Sequence, residues 1–227
     1  MGMVSDLALA VIPLNCGQLQ FNRSVFTGDT RSTLLVLPVL AFLILHPQGM
    51  ILFDTGLPPQ LWAGSPIMEL TPGLRAKQGD SEGLVREIEK QGYSYKDIAL
   101  IVNSHHHPDH AGGNALIPGA ICIKGIQEDI KGDHDLLEDG SILLLPTPGH
   151  AGDHQSMLVK GNNKQVLLTG DACFRPHNLY DCNPPLILED RKEALRSLKR
   201  LKEISEERET VILTSHDPSV KREKVIL

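Results

Sequence analysis

The chain has 227 residues, of which 41% are hydrophobic, and this is enough to bury a sizeable core in a single domain that covers residues 1–227. Its formal net charge is -6, it carries no basic stripe and only 4% of its residues are aromatic, which argues against a nucleic-acid partner. The most apolar stretch, residues 34–45, contains Pro38 and is too short to cross a membrane.

Apolar segments typical of β-strands fill the first part of the chain. Residues 7–14, 34–45 and 50–54 predict strands, and the turn at 46–49 predicts that the last two are antiparallel. Residues 57–80 hold four prolines and three glycines, so we expect a long irregular excursion there.

Helical patterns are fewer. Leu84 and Ile88 share one face of a helix predicted over residues 82–91, and residues 190–205 predict a longer helix with Asp190 as its N-cap. Further strands are predicted at residues 98–104, 120–125, 141–149, 156–161, 165–171 and 210–216. Because strands and helices mix throughout the chain, we expect one α/β domain in which helices cover the sheets.

The stretch NSHHHPDHAGGN, residues 103–114, places four histidines and one aspartate within six positions. Crowded imidazoles compete for the same hydrogen-bond partners and repel one another when protonated, so a bland surface loop does not need them. A metal site explains the crowding, because neutral imidazoles and carboxylates bind zinc and related divalent ions. The two glycines that follow permit a tight backbone turn.

Four predicted strands deliver a metal-capable side chain at their C-terminal ends. His105 comes from the strand at 98–104, and the three later strands supply His150, Asp171 and His216. Strand ends converge on one rim of a sheet, which is how a rigid scaffold gathers ligands from distant parts of a sequence. The pattern therefore predicts a metal site at that rim.

The H-x-H-x-D-H spacing divides the expected ligands into two sets. His105, His107 and His150 are expected to hold one metal ion, and Asp109, His110 and His216 the other, with Asp171 as the bridge. Two metals about 3.5–4 Å apart can hold a shared hydroxide and polarise a carbonyl or phosphoryl oxygen. This favours a hydrolase whose nucleophile is metal-bound water. Asp109 is expected to be a catalytic residue as well as a metal ligand. Zinc is the first expectation for both ions, and iron, manganese or cobalt also suit these ligands.

The motifs SHHHPDH, TPGHAGDH, TGDA and SHDP, in this order and preceded by LFDTG, resemble the metallo-β-lactamase superfamily over nearly the whole chain. The resemblance implies an αββα sandwich, in which two mixed β-sheets are flanked by helices and the metals lie at one edge. Within the superfamily, HPQGMILFDTGLPP, HHHPDHAGGN and DGSILLLPTPGHAGDHQSM look most like N-acyl homoserine lactonases. That likeness implies a dinuclear hydrolase that opens lactone rings through a metal-bridging hydroxide. Lactonases of this group are often dimers, so it also allows a homodimer.

One position departs from the lactonase pattern. Those lactonases typically carry a tyrosine three positions after the bridging aspartate, where its hydroxyl assists at the substrate carbonyl or leaving oxygen, and this chain has Phe174 there. A phenyl ring cannot donate a hydrogen bond, so Tyr180 and His177, nearby in the sequence, are the catalytic candidates to replace it. Alternatively, metal polarisation acts alone or the substrate is another ester, a thioester or a phosphoester. A mononuclear-iron persulfide dioxygenase also keeps the H-x-H-x-D-H motif.

Three further polar residues lie beside the predicted ligands in the sequence. His106 stands between two of them and is expected to point away from the metals, and His154 is expected to have a structural role. Asp54 either orients a ligand imidazole or caps the turn before Gly56.

The cysteines and the N-terminus bear on location. The four cysteines are scattered without a C-x-x-C pair, which is typical of reduced thiols. The first residues lack the basic segment of a secretory signal. We therefore expect a cytoplasmic enzyme that acts on a small-molecule substrate.

Overall fold

The computed structural model describes residues 9–22, 34–61, 67–71, 74–78, 81–125, 132–185 and 188–227. In this part of the chain, two β-sheets pack face to face and helices cover their outer faces. This is the αββα sandwich with two mixed sheets that the sequence predicts.

The first sheet contains the N-terminal strands. Its described strands run in the order β4-β5-β1-β2-β3-β6-β7, with β13 also paired to β1. Its strands are β1 Ala10–Asn22, β2 Leu34–His46, β3 Gly49–Phe53, β4 Ile67–Thr71, β5 Leu74–Lys77, β6 Ile98–Asn103, β7 Ile121–Lys124 and β13 Val225–Ile226. The pairs β3–β6 and β6–β7 are parallel and the other pairs are antiparallel.

The second sheet runs in the order β12-β11-β10-β9-β8 within the described residues. Its strands are β8 His134–Asp135, β9 Ile142–Pro146, β10 Gln155–Lys160, β11 Gln165–Leu168 and β12 Thr210–Leu213. Among the described pairs of this second sheet, β11–β12 is parallel and the others are antiparallel.

The helices are α1 Leu84–Lys90, α2 Pro108–Ala111, α3 Pro176–Tyr180 and α4 Arg191–Glu206. Helix α1 packs Ile88 against the outer face of the first sheet, and α4 packs Leu198 against the outer face of the second. Burial of these apolar faces holds the short helices in place, since helices of this length are marginal on their own.

Strand β2 shows why its sequence is apolar without alternation. Phe42 and Ile44 face the layer between the two sheets, whereas Leu43 and Leu45 face the layer under α1. Each of these four side chains is fully buried. A strand that is covered on both faces requires apolar residues at every position, and β2 meets that requirement.

The prediction of an irregular excursion over residues 57–80 needs correction, and so does the predicted end of the first strand. The region predicted to be irregular contains β4 and β5, which form an antiparallel pair, and β5 pairs with β1. Strand β1 makes this possible because it continues to Asn22, past a bulge between Asn15 and Gln18, well beyond the predicted end at residue 14. Long-range pairing therefore overrides the local signal of the prolines and glycines.

Three later strands are shorter than predicted. Strands β9, β11 and β12 end at Pro146, Leu168 and Leu213, each several residues before the metal-capable side chain that follows. The intervening residues form turns, including a 3₁₀ turn over Gly170–Ala172. The side chains of the predicted site therefore lie on short turns that the strand ends support.

No helix in the described ranges is both long and apolar enough to span a membrane.

The N-terminus of α4 is capped as the sequence predicts, since the Asp190 carboxylate accepts hydrogen bonds from the backbone N–H groups of Lys192 (2.8 Å) and Glu193 (3.1 Å). We expect Asp190→Ala to lower the free energy of unfolding by about 1 kcal/mol, because these N–H groups lose their acceptor. Urea denaturation measures this value. Asp190→Asn keeps an acceptor and should unfold close to wild type; an equal loss in both variants would contradict the capping role.

Candidate metal centre

All seven predicted ligands meet at one rim of the sandwich. They form three overlapping groups whose ligand atoms lie within 4.8 Å of one another. The groups are His105, His107 and His150; His105, His110 and Asp171; and Asp109, His110 and His216. Helix α2 and the turns after β6, β9, β11 and β12 supply them, so both sheets contribute to the site.

Three imidazoles form the first predicted set. The Nε2 atoms of His105 and His150 lie 2.8 Å and 3.0 Å from Nδ1 of His107. Burial, reinforced by neighbouring histidines, lowers the pKa of His105 well below its usual value, and it also lowers the pKa of His107. Neutral imidazoles are the form that binds divalent metals, so this group is prepared for ligation.

The second set combines imidazoles with carboxylates. Oδ2 of Asp109 lies 3.6 Å from Nε2 of His110 and 3.5 Å from Nε2 of His216. Oδ1 of Asp171 lies 3.3 Å and 3.1 Å from the same two nitrogens. The other oxygen of Asp171, Oδ2, lies 3.4 Å from Nε2 of His150. Each oxygen of Asp171 therefore faces one of the two sets.

Charge is concentrated in this buried rim. Burial opposes the charged form of His110, but the carboxylates of Asp171 and Asp109 raise its pKa well above the usual value. Asp171 also raises the pKa of His216 against the effect of burial. In turn, His216 and His110 hold the pKa of Asp171 well below its usual range, although burial alone would raise it. The Asp171 carboxylate thus keeps its negative charge in this buried rim, and a divalent cation would neutralise it.

The residues fit a metal by a second observation. Nε2 of His110, Nε2 of His216 and Oδ1 of Asp171 are buried, and none makes a hydrogen bond in the described part of the chain. Buried polar atoms without hydrogen bonds are costly. Here Oδ1 of Asp171 lies 3.3 Å from Nε2 of His110 and 3.1 Å from Nε2 of His216. A cation between them satisfies all three atoms at once, and imidazole and carboxylate are the donors that zinc and related ions accept.

Contacts outside the seven residues hold two of the imidazoles. Nδ1 of His110 donates to Oδ2 of Asp54 at 2.8 Å, and Nδ1 of His216 donates to the carbonyl of Pro38 at 2.8 Å. Both bonds direct Nε2 into the rim. Asp54 also accepts from the N–H and hydroxyl of Ser104, at 2.7 Å and 2.9 Å. Of the two alternatives for Asp54, the structure thus shows the first: the carboxylate orients His110 and bonds Ser104, and none of these bonds goes to the turn before Gly56.

The polar residues beside the ligands divide as predicted. His106 is exposed, and its Nδ1 lies 2.7 Å from Oδ2 of Asp153, away from the cluster. His154 is fully buried, and burial, followed by the effect of His150, lowers its pKa to about 3. It is neutral at pH 7 and belongs to none of the three groups.

Residues that hold His110 were not found from the sequence. The His110 carbonyl accepts from the N–H of Thr55 (2.8 Å), the hydroxyl of Thr55 (3.1 Å) and the amide of Asn103 (3.3 Å). Asn114 in turn bonds both Thr55 (2.7 Å) and Asn103 (3.2 Å). Thr55, Asn103 and Asn114 lie inside the motifs DTG, NSH and GGN, which could have marked them as candidates. Sequence position alone does not reveal that they bond one another.

Phe174 lies against the site. Its ring centroid is 5.2 Å from that of His216 and 6.3 Å from that of His150. Tyr180 and His177 are exposed on α3, and neither side chain has a hydrogen bond or ring contact with the seven clustered residues in the ranges that the structure describes. The prediction that one of them replaces a tyrosine hydroxyl therefore rests on proximity in the sequence alone.

Comparison with known proteins gives a consistent result. Residues 34–126 match the family model of the metallo-beta-lactamase superfamily. An N-acyl homoserine lactonase from Bacillus cereus is 31% identical, over 88% of this chain and 90% of that protein. A crystal structure of a B. thuringiensis AiiA variant with N-decanoyl-L-homoserine bound at the active site is 28% identical, with a TM-score of 0.77 over 93% of this chain and 94% of that one. An N-acyl homoserine lactone hydrolase with the product N-hexanoyl-L-homoserine bound at its catalytic metal centre is 26% identical, with a TM-score of 0.75 over 93% and 94%.

The turn after α2 generates a prediction. A Cβ added at Gly113 would lie 2.4 Å from the backbone oxygen of Thr55, whereas one added at Gly119 would meet nothing within 4 Å. We expect Gly113→Ala to lower the free energy of unfolding by about 1–3 kcal/mol, because backbone must shift to admit the methyl group.

Gly119→Ala is the matched control and should unfold within about 0.5 kcal/mol of wild type. Chemical denaturation measures both variants, and metal titration of Gly113→Ala should show weaker binding because Thr55 also holds His110. Equal stability of the two variants would contradict the close packing at Gly113.

Proposed function

The chain belongs to the N-acyl homoserine lactonase family of the metallo-beta-lactamase superfamily, and we propose that it is a dinuclear metal-dependent hydrolase that opens lactone rings. The observation that carries the proposal is the placement of Asp171, whose two oxygens face the two ligand sets at 3.1–3.4 Å. A mononuclear site would not need a carboxylate in that position.

We assign the ligands as the spacing predicts: His105, His107 and His150 to one ion, Asp109, His110 and His216 to the other, and Asp171 to both. Two divalent ions bound there would supply an activated water and would polarise the carbonyl oxygen of a substrate. Zinc is the proposed metal because imidazole and carboxylate suit it, and iron, manganese or cobalt suit the same donors.

The chain's own residues prepare this site in three ways. Asp54 and the Pro38 carbonyl each hold an imidazole so that Nε2 faces the rim. The carboxylates of Asp109 and Asp171 provide buried negative charge at the point where cations are needed. Phe174 places an apolar ring beside His216 and His150, and an apolar neighbour strengthens the electrostatic interactions of the groups that it shields from water.

The proposed substrate class is an N-acyl homoserine lactone. Support comes from the related structures, which hold N-decanoyl-L-homoserine and N-hexanoyl-L-homoserine, the ring-opened products of such lactones. Hydrolysis adds one water molecule, breaks the ring C–O bond, and yields a carboxylic acid and an alcohol. At neutral pH the acid ionises, so each turnover releases one proton.

Phe174 is the observation that favours a second candidate. Phe174 places a phenyl ring beside His216, and this ring has no hydroxyl that could protonate a leaving alkoxide. Another ester, a thioester or a phosphoester with a better leaving group would need that proton less. A mononuclear-iron persulfide dioxygenase is disfavoured by the paired ligand sets.

We also propose that residues 1–227 form one domain and that the enzyme is cytoplasmic. All four cysteines are free, as expected of thiols in a reducing compartment. A small-molecule substrate, with no nucleic-acid or membrane partner, is consistent with the acidic composition. A homodimer remains part of the proposal on the strength of the family alone.

The function is tested by hydrolysis of a short-chain and a long-chain N-acyl homoserine lactone, followed by pH-stat proton release with metal content measured on the same sample. We expect turnover at two metals per chain. Asp109→Ala should lower kcat/KM by at least about 10³-fold and reduce the metal content, because one ion loses its carboxylate ligand.

The matched control is Asp97→Ala, which removes an exposed carboxylate just before β6, outside the seven clustered residues, and should keep both activity and metal content. A fully metallated wild-type protein that opens neither lactone would overturn the proposed substrate. Aryl esters, thioesters and phosphoesters would then be assayed on the same preparation.

Phe174→Tyr tests the role of the missing hydroxyl. The new phenol would lie beside His150 and His216, and we expect kcat for lactones to rise by about 10-fold or more at unchanged metal content, because a proton donor reaches the leaving oxygen. Tyr180→Phe and His177→Ala are measured in parallel. A fall in kcat in either variant, with metal content unchanged, would show that this side chain already supplies the proton.

A further inference from the structure

His154 is a fully buried histidine that the proposed metal sites do not use. Its Nε2 lies 3.0 Å from the backbone nitrogen of Asp171, and its Nδ1 lies 2.8 Å from Oγ1 of Thr147. The hydroxyl of Thr147 lies 2.9 Å from that of Ser156, which bonds the carbonyl of Thr169 at 3.1 Å. These five residues form one chain of hydrogen bonds beneath the metal centre.

The two ends of this chain determine its direction. The backbone N–H of Asp171 can only donate, so Nε2 of His154 must carry a lone pair. A neutral ring then has its hydrogen on Nδ1, which donates to Thr147. The carbonyl of Thr169 can only accept, so the hydroxyl of Ser156 donates to it and receives the hydrogen bond of Thr147. One tautomer of His154 is therefore consistent with every bond.

The chain ends at the residue that faces both metal sets. Asp171 lies in the 3₁₀ turn Gly170–Ala172, and Gly170 adopts a left-handed φ of 52°. A Cβ added at Gly170 would lie 2.8 Å from Nε2 of His154 and 2.8 Å from Cβ of Ser104. The turn therefore packs directly against the His154 ring, and the backbone N–H of Asp171 donates a hydrogen bond to that ring.

The opposite tautomer would disrupt this arrangement. It would place an N–H on Nε2, which would face the N–H of Asp171 at 3.0 Å, and the turn would have to rotate. Rotation of the turn would move both carboxylate oxygens of Asp171 away from their present distances of 3.1–3.4 Å to the surrounding imidazoles. Errors well under 1 Å matter in metal coordination.

We propose that His154 is a positioning residue for Asp171, held in a single tautomer by the chain through Thr147 and Ser156 to the carbonyl of Thr169. The inference rests on the metal ligands assigned in the proposed function. It extends the set of residues that determine the bridging geometry to two hydroxyl side chains, both fully buried, whose hydrogen bonds in the described part of the chain go to groups other than the proposed ligand side chains.

The test uses Co²⁺ binding to the metal-free protein, with the visible d–d absorption spectrum as the signal and no substrate present. Thr147→Val keeps the shape of the side chain but removes the hydroxyl, and Thr147→Ser restores it. We expect Thr147→Val to bind the second Co²⁺ about 10–100-fold more weakly than wild type and to change the d–d spectrum. Thr147→Ser should have the wild-type affinity and spectrum.

Thermal unfolding of each metal-free variant separates positioning from general stability. A role limited to packing would lower the melting temperature of Thr147→Val and leave the spectrum of the loaded protein unchanged, which would overturn the inference. If Thr147→Val does not fold, Ser156→Ala replaces it, since it leaves the His154–Thr147 contact and removes only the directing link. A wild-type protein that fails to bind two Co²⁺ ions would overturn the metal assignment as well.

Discussion

Buried charge at one rim of the sandwich is the constraint on which the rest of the structure depends. Asp109 and Asp171 are both more than 90% buried, and the imidazoles of His110 and His216 beside them point unpartnered nitrogens into the same space. Such an arrangement is unfavourable in a protein interior unless a cation joins the groups. Hydrogen bonds from both sheets hold these side chains in place despite the free-energy cost of burying them.

Each sheet supplies part of the support. The first sheet contributes Asp54 after β3 and the Pro38 carbonyl within β2, which direct His110 and His216. The second sheet carries Thr147 and Ser156 beneath the turn of Asp171. Because the apolar layer between the sheets is continuous, the two halves of the site keep a fixed relation to each other. A site shared between two packed sheets is therefore as rigid as the core that joins them.

The apolar cover over the site links packing to chemistry. Phe174 lies against the rings of His216 and His150. An apolar ring lowers the local dielectric constant, which would strengthen the attraction between the carboxylates and a bound cation. The same ring carries no hydroxyl, so it offers no proton to a leaving group.

The sequence by itself determined the kinds of residue in the site and most of the elements that carry them. H-x-H-x-D-H and the later His150, Asp171 and His216 are recognisable because ligand chemistry and short spacing are local properties, as is the apolar run of β2. Only the tertiary structure decided which groups support the ligands, since Asp54 meets His110 across 56 positions of sequence. It likewise made β5 a strand by pairing it with β1 and β4. It also placed Tyr180 and His177 on an exposed helix, although they follow Asp171 closely in the chain. Contacts between distant residues depend on how whole layers pack, and no local pattern records that.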